Sequence, residues 1–129
     1  MLDIDPAYID LLERPIVCVL ATSRPDGVLQ VNPMWFQFDG TNIRFSHTSR
    51  RSKFRNLQAN PVMTVLVVDP DNTQRYIELR GRLSEAIEDP TGEFHQILGR
   101  RYGDDNTAPP ADAEYRVILV MAIEMVRTR

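Results

Sequence analysis

Cysteine is almost absent. Cys18 is the only one in 129 residues, so no disulfide can close within one chain. It sits in the apolar run IVCVLA, where a lone small thiol reads as core. Histidine is nearly as scarce: His47 and His95 lie far apart in sequence, with no Cys/His cluster beside either, and the pattern predicts no metal site. Lysine occurs once, as Lys53, among 15 basic residues. No apolar run approaches the roughly 20 residues a spanning helix needs, which predicts no membrane association. The stretch MLDIDPAYIDLLERP is acidic and lacks a basic flank followed by an apolar core, so no secretory or transit peptide is expected and a cytoplasmic location is. Neither GxGxxG nor GxxxxGK[ST] occurs, which excludes the two common glycine-rich phosphate cradles. No repeat, linker or low-complexity stretch interrupts the chain, so residues 1–129 are expected to form one domain.

The apolar pattern is mostly that of strands. Asp5 and Pro6 open a predicted helix over 5–13, which Pro15 ends. IVCVLATS (16–23) and VMTVLVVD (62–69) are continuously apolar and predict strands buried on both faces. RPDG (24–27) has the residues of a type I turn and predicts a hairpin into a return strand over 28–39. Pro33 within that strand predicts an edge, a bulge or a break. Asp39-Gly40 predicts a second hairpin into NIRFSHT, where Ile43, Phe45 and His47 alternate with Arg44 and Ser46. A helix is expected over about 50–59, stopped at Asn60-Pro61. YIELRGRLSEAIE (76–88) alternates, with Gly81 marking a bulge. A second amphipathic helix follows Asp89-Pro90, and RVILVMAIEMV (116–126) is the last strand. This order predicts a mainly β protein: a six- to seven-stranded antiparallel split barrel with peripheral helices.

One segment departs from the acidic background. SHTSRRSKFRNL (46–57) carries Arg50, Arg51, Lys53 and Arg55 in a chain of net charge −3. Three readings compete. Four cations on an exposed helix can be a solvated face, worth under ~1 kcal/mol per exposed pair. They can contact nucleic acid, although an acidic overall field repels a polyanion beyond the patch. They can hold a small phosphorylated ligand, because a hydroxyl-rich strand end here runs into a helix N-terminus. Unpaired backbone N–H groups there carry partial positive charge, and Arg and Lys add full charges in the first turn.

The motifs ATSRPDGVLQVNPMWF (21–36) and RSKFRNLQANP (51–61), with YIELRGR after them, resemble the pyridoxamine 5′-phosphate oxidase-like split-barrel flavoprotein superfamily, in particular its actinobacterial branch that uses the deazaflavin coenzyme F420. The resemblance runs from about residue 8 to 127. It implies a homodimer with two cofactor sites at the subunit interface, each built from both chains, and a small-molecule substrate; no nucleic-acid partner is expected of so acidic a chain. The implied cofactor is F420, with FMN as the alternative. Position by position, Arg51 and Lys53 match residues that hold the cofactor phosphate, with Thr48 and Ser49 at the preceding turn. Arg50 and Arg55 are further cations for an anionic tail. Val31, Asn32, Pro33, Met34 and Trp35 match the strand beside the ring, and Tyr76 matches a pocket-lining position. The chain lacks the C-terminal extension of true pyridoxamine phosphate oxidases, which argues against vitamin B6 oxidation.

The implied chemistry is hydride transfer from reduced F420 to an activated double bond. A carrier without turnover, or an FMN-binding relative, is the competing expectation. No catalytic acid is assigned by the motifs. His47 and Tyr76 are candidate proton donors by residue type, and solvent serves equally.

Overall fold

The structure, a computed structural model, describes residues 3–106 and 108–129. Seven strands form one antiparallel sheet: β1 (Cys18–Ser23), β2 (Leu29–Met34), β3 (Gln37–Phe38), β4 (Asn42–Thr48), β5 (Val62–Val68), β6 (Tyr76–Glu88) and β7 (Arg116–Thr128). Their order across the sheet is β2-β1-β5-β6-β7-β4-β3. Helices α1 (Asp10–Glu13), α2 (Ser52–Ala59) and α3 (Glu93–Arg101) lie around it. The sheet curls so far that side chains of β2, at one end, and β4, near the other, line the same cleft. The architecture is the expected mainly β split barrel.

The curl encloses a core of alternate residues. Leu20, Phe36, Ile43, Phe45, Met63, Val65, Ile77, Leu79, Leu119 and Met121 are all fully buried, and Leu11, Leu12 and Leu57 seal the assembly from the helices. On β4 the alternation Ile43, Phe45, His47 points inward throughout, as the sequence predicts.

Two strands differ from expectation. β1 and β5 bury one face each, and the other is apolar but open: Val19 is 37% and Val62 51% exposed. When both faces of a strand are apolar, a period of two carries no information about which is covered. The return strand also breaks early. β2 ends at Met34, after which Phe36 turns into the core and its N–H is taken by the Tyr102 hydroxyl at 3.2 Å. Pro33 sits on β2, an edge strand, so its missing N–H costs no ladder bond where the strand has no outer neighbour. The N-terminal helix divides into a 3₁₀ turn, Pro6–Tyr8, and α1; Asp5 caps it by accepting from Ala7 N at 2.9 Å. The helix following Asp89-Pro90 begins at Glu93, with Asp89 accepting from Phe94 N at 3.0 Å.

Gly81 marks the predicted irregularity, since the β6–β7 register shifts between Arg80 and Gly81. A Cβ at this position would lie 1.8 Å from the Ala122 carbonyl oxygen. Backbone cannot yield as a flexible side chain does. Gly81→Ala is therefore expected to destabilise the fold by about 1–3 kcal/mol or more, read as a lower urea midpoint; an unchanged midpoint would show that the two strands are not in this close register.

Candidate functional site

Helix α2 starts without a side-chain cap. Arg51 occupies the N-cap position, and its side chain makes no capping hydrogen bond. The turn before it is closed instead by the Arg51 N–H to the Thr48 carbonyl at 3.3 Å and by the Arg50 N–H to Thr48 Oγ1 at 3.3 Å. The Phe54 N–H is taken by the Arg51 carbonyl at 3.2 Å, and among the described residues the N–H groups of Ser52 and Lys53 have no acceptor. Two residues in, Lys53 is only 7% exposed. Its Nζ reaches a single weak acceptor, Met34 Sδ at 3.5 Å, and among the described residues no carboxylate pairs with it. Burial, and then the charge of Arg51, hold its pKa below the ordinary lysine value. A buried cation without a counter-charge is costly unless an anion arrives to pair with it.

His47 lies at the same end of the barrel, on the inner face of β4. It is 5% exposed, and its Nε2 is buried without any hydrogen-bond partner. Burial first, then the charges of Lys53, Arg51 and Arg116, push its pKa down to about 4. The imidazole is therefore neutral at neutral pH. Cys18, directly across from Met34 on β1, has its thiol pushed up to about 12 by burial, so it is no thiolate nucleophile.

A cleft of about 410 Å³ meets this cluster at Met34, which lines it, whereas Lys53 and His47 do not. Its lining comes from β2 and the residue after it (Pro33, Met34, Trp35), from β4 and β7 (Ser46, Arg116), from α3 (His95, Leu98) and from Val17. Trp35 is fixed by a stacked contact with Tyr102, ring centroids 4.9 Å apart and 4° from parallel. Tyr102 is itself held, donating to the Ile16 carbonyl at 2.8 Å. Its neighbour Arg101 donates to the carbonyls of Phe36 (2.9 Å), Glu13 (2.8 Å) and Arg14 (2.8 Å). The end of α3 thus locks the cleft wall through backbone carbonyls that no motif marks. Sequence reasoning missed His95, Leu98 and Arg116 for the same reason: they come from elements distant in sequence, brought in by the curl.

The other expected site residues divide. Met34, Thr48, Arg51 and Lys53 converge at the start of α2. Asn32 also points inward, with Oδ1 buried and unpartnered, while Val31 and Pro33 lie on the outer face of the same strand. Ser49 is occupied, its N–H and hydroxyl both donating to the Tyr115 carbonyl at 3.0 and 3.3 Å. Arg50 lies over the Tyr115 ring, 3.4 Å from its centroid, and Arg55 donates to the Arg50 carbonyl at 3.3 Å. Tyr76 begins β6, paired with Val68 of β5, and β6 is three strands from β2. At about 4.8 Å per strand, that sets it on the order of 14 Å away within one chain.

The buried imidazole has a consequence for stability. A histidine whose folded pKa lies below its unfolded value near 6.5 favours folding while neutral, and that contribution is lost as pH falls from 6.5 towards 4. The loss reaches about 3 kcal/mol. Urea midpoints measured between pH 7 and pH 4 are expected to fall steeply in the wild type and much less in His47→Leu; parallel curves would contradict the assignment.

The whole chain matches known proteins. The model of the pyridoxamine 5′-phosphate oxidase family matches residues 4–129. A solved structure described as an F420 reductase is 48% identical over 96% of this chain and 98% of its own, with a TM-score of 0.93. A conserved hypothetical protein from Mycobacterium tuberculosis is 24% identical over 98% of this chain and 84% of its own, TM-score 0.76. General stress protein 26 from Bacillus anthracis is 18% identical over 94% and 89%, TM-score 0.70; these last two share the fold. Among curated protein sequences none matches. The resemblance drawn from the motifs at 21–36 and 51–61 holds along the chain, which belongs to the pyridoxamine 5′-phosphate oxidase family.

Proposed function

We propose that the protein is an F420-dependent oxidoreductase, which reduces an activated double bond in a small organic molecule. The observation that carries this reading is Lys53, a buried ammonium whose only partner is a thioether, at the uncapped start of α2. The 48% identity to a structure described as an F420 reductase supports the choice of cofactor. The residues present fit that group. A phosphodiester is a permanent anion at neutral pH, and Lys53, the first N–H groups of α2 and the exposed Arg51 supply donors and positive charge for its oxygens. F420, when bound, supplies the hydride.

The chain's own residues have three tasks in this reading. Lys53 and the helix terminus anchor the anionic part. The locked Trp35–Tyr102 pair, Met34 and Leu98 offer an apolar wall on which a planar ring packs and from which water is excluded. Arg101 keeps that wall in place through the carbonyls it binds. His47, neutral and enclosed, and Tyr76, on another strand, are poorly suited to donate the accompanying proton. The reading gives that step to solvent entering the cleft.

A homodimer belongs to the same proposal. Val19, Leu29, Val31 and Val62 share the open face of β2, β1 and β5, with Leu29 70% and Val31 59% exposed. A patch of this kind is what a second copy covers. Tyr76 would then reach a site through the partner. The wild type is expected to sediment as a dimer and Val31→Asp as a monomer; a monomeric wild type would remove this part of the proposal.

The cofactor itself is tested by titrating the protein with F420 and with FMN, following fluorescence. F420 is expected to bind more tightly, and Lys53→Ala to weaken it more than tenfold. FMN binding at least as tight as F420 would overturn the cofactor assignment, and an unaffected Lys53→Ala would return the basic segment to a solvated face. Oxidation of reduced F420 by an enone separates an enzyme from a carrier, which binds without turnover.

A further inference from the structure

Two buried polar groups at the start of α2 lack what they need. Lys53 has no anion, and His47 Nε2 has no partner at all. Native proteins leave few buried polar atoms unpaired, so each one asks for an explanation. A structural histidine at this position would be expected to find a carbonyl or hydroxyl; instead its buried Nε2 is left without one. The charges that act on the ring are cations, of which, among the described residues, only Arg116 has a carboxylate partner, Asp112. Lys53 is on α2, Arg51 at its cap, and Arg116 at the start of β7, and all three act on the imidazole. Cations do not accept hydrogen bonds. His47 directly precedes Thr48, whose hydroxyl and carbonyl close the turn into α2, and Lys53 is buried in the first turn of that helix, so one anion bound there would answer both needs.

We propose that His47 is a further ligand of the anion held by Lys53, its Nε2–H donating to an anionic oxygen. This rests on the reading of the α2 terminus as the cofactor's anion site, and it gives His47 a binding role in place of the proton-donor role its residue type suggests. In a neutral imidazole one nitrogen donates and the other accepts. An anion beside Nε2 selects the tautomer that carries the proton there. Burial and the charge of Lys53 also keep it a donor without a net charge of its own, so that it adds a hydrogen bond and leaves Lys53 and the exposed Arg51 to balance the anion.

The role carries a specific signature. Leucine at position 47 removes a buried unsatisfied nitrogen and keeps an apolar side chain of moderate size. In the ligand-free protein that exchange is neutral or stabilising. In the complex it removes a ligand. Glutamine keeps an N–H donor and should preserve binding. A histidine that merely packs would lose stability on replacement and leave affinity alone.

The experiment combines F420 fluorescence titration with thermal melting and with ¹⁵N-histidine NMR, in which only two imidazoles, His47 and His95, contribute. His47→Leu is expected to bind F420 at least tenfold more weakly while melting, without ligand at pH 7.5, no lower than the wild type. His47→Gln should bind within about threefold of the wild type. In the wild type, adding F420 should move the His47 Nε2 resonance in the direction of a hydrogen-bonded donor while the ring stays neutral from pH 6 to 8. The NMR arm needs no variant, so a variant that fails to fold leaves the proposal testable. If Lys53→Ala weakens binding but His47→Leu does not, or if the ring becomes cationic in the complex, or its Nε2 does not move, this inference is overturned and the cofactor reading stands. If the wild type binds neither F420 nor inorganic phosphate, both fall.

Discussion

A single unpaired ammonium organises the functional end of this molecule. Lys53 is buried, and among the described residues its ammonium hydrogen-bonds only to the sulfur of Met34. Everything nearby compounds its isolation: Arg51 adds like charge, the helix terminus adds partial positive charge, and the Cys18 thiol stays protonated. A fold that merely sought stability would place an apolar side chain here, since a buried unpaired charge costs several kcal/mol. The protein accepts the cost at one point and recovers stability elsewhere, from a continuous core running through β1, β4, β5, β6 and β7 and from Arg101, which ties α1's end and the strand break at Phe36 to α3.

The curl of the sheet turns that isolated charge into a site. β2 is the first strand of the order and β4 the last but one, yet Met34 and Ser46 line one cleft. Met34 joins that cleft to the start of α2, since its sulfur is also the contact of Lys53 Nζ. Breaking the return strand after Met34 is part of the same construction, because it frees Trp35 to stack on Tyr102 and sends Phe36 into the core. The outer faces of β1, β2 and β5 remain apolar and open in the single chain, consistent with the proposed dimer.

Much of this was legible in the residues. The hairpin at RPDG, the edge proline, the bulge at Gly81 and the inward set Ile43, Phe45 and His47 all follow from local chemistry that tertiary packing did not override. The anion-binding character of the segment after Thr48 was one of three readings, and charge count alone could not separate them; the burial of Lys53 is what supports the proposed one. The illegible part is what depends on distance in space. His95, Leu98 and Arg116 carry no motif, Arg50 spends its charge on Tyr115, and the open faces of β1 and β5 look the same in sequence as buried ones. His47 is the instructive case. Its alternation predicted that it points inward, but only its burial, and after that the charges of Lys53, Arg51 and Arg116, make it neutral and so unfit to donate a proton.

The single lysine makes the central claim directly measurable. A sample labelled with ¹³Cε-lysine gives one side-chain resonance, and its pH titration reports the Lys53 ammonium alone. Without ligand, that pKa is expected below the ordinary lysine value; on saturation with F420 it should rise as the anion pairs with the ammonium. An F420 complex in which the Lys53 resonance neither shifts nor changes its titration would contradict the account, because the cofactor would then be held somewhere else.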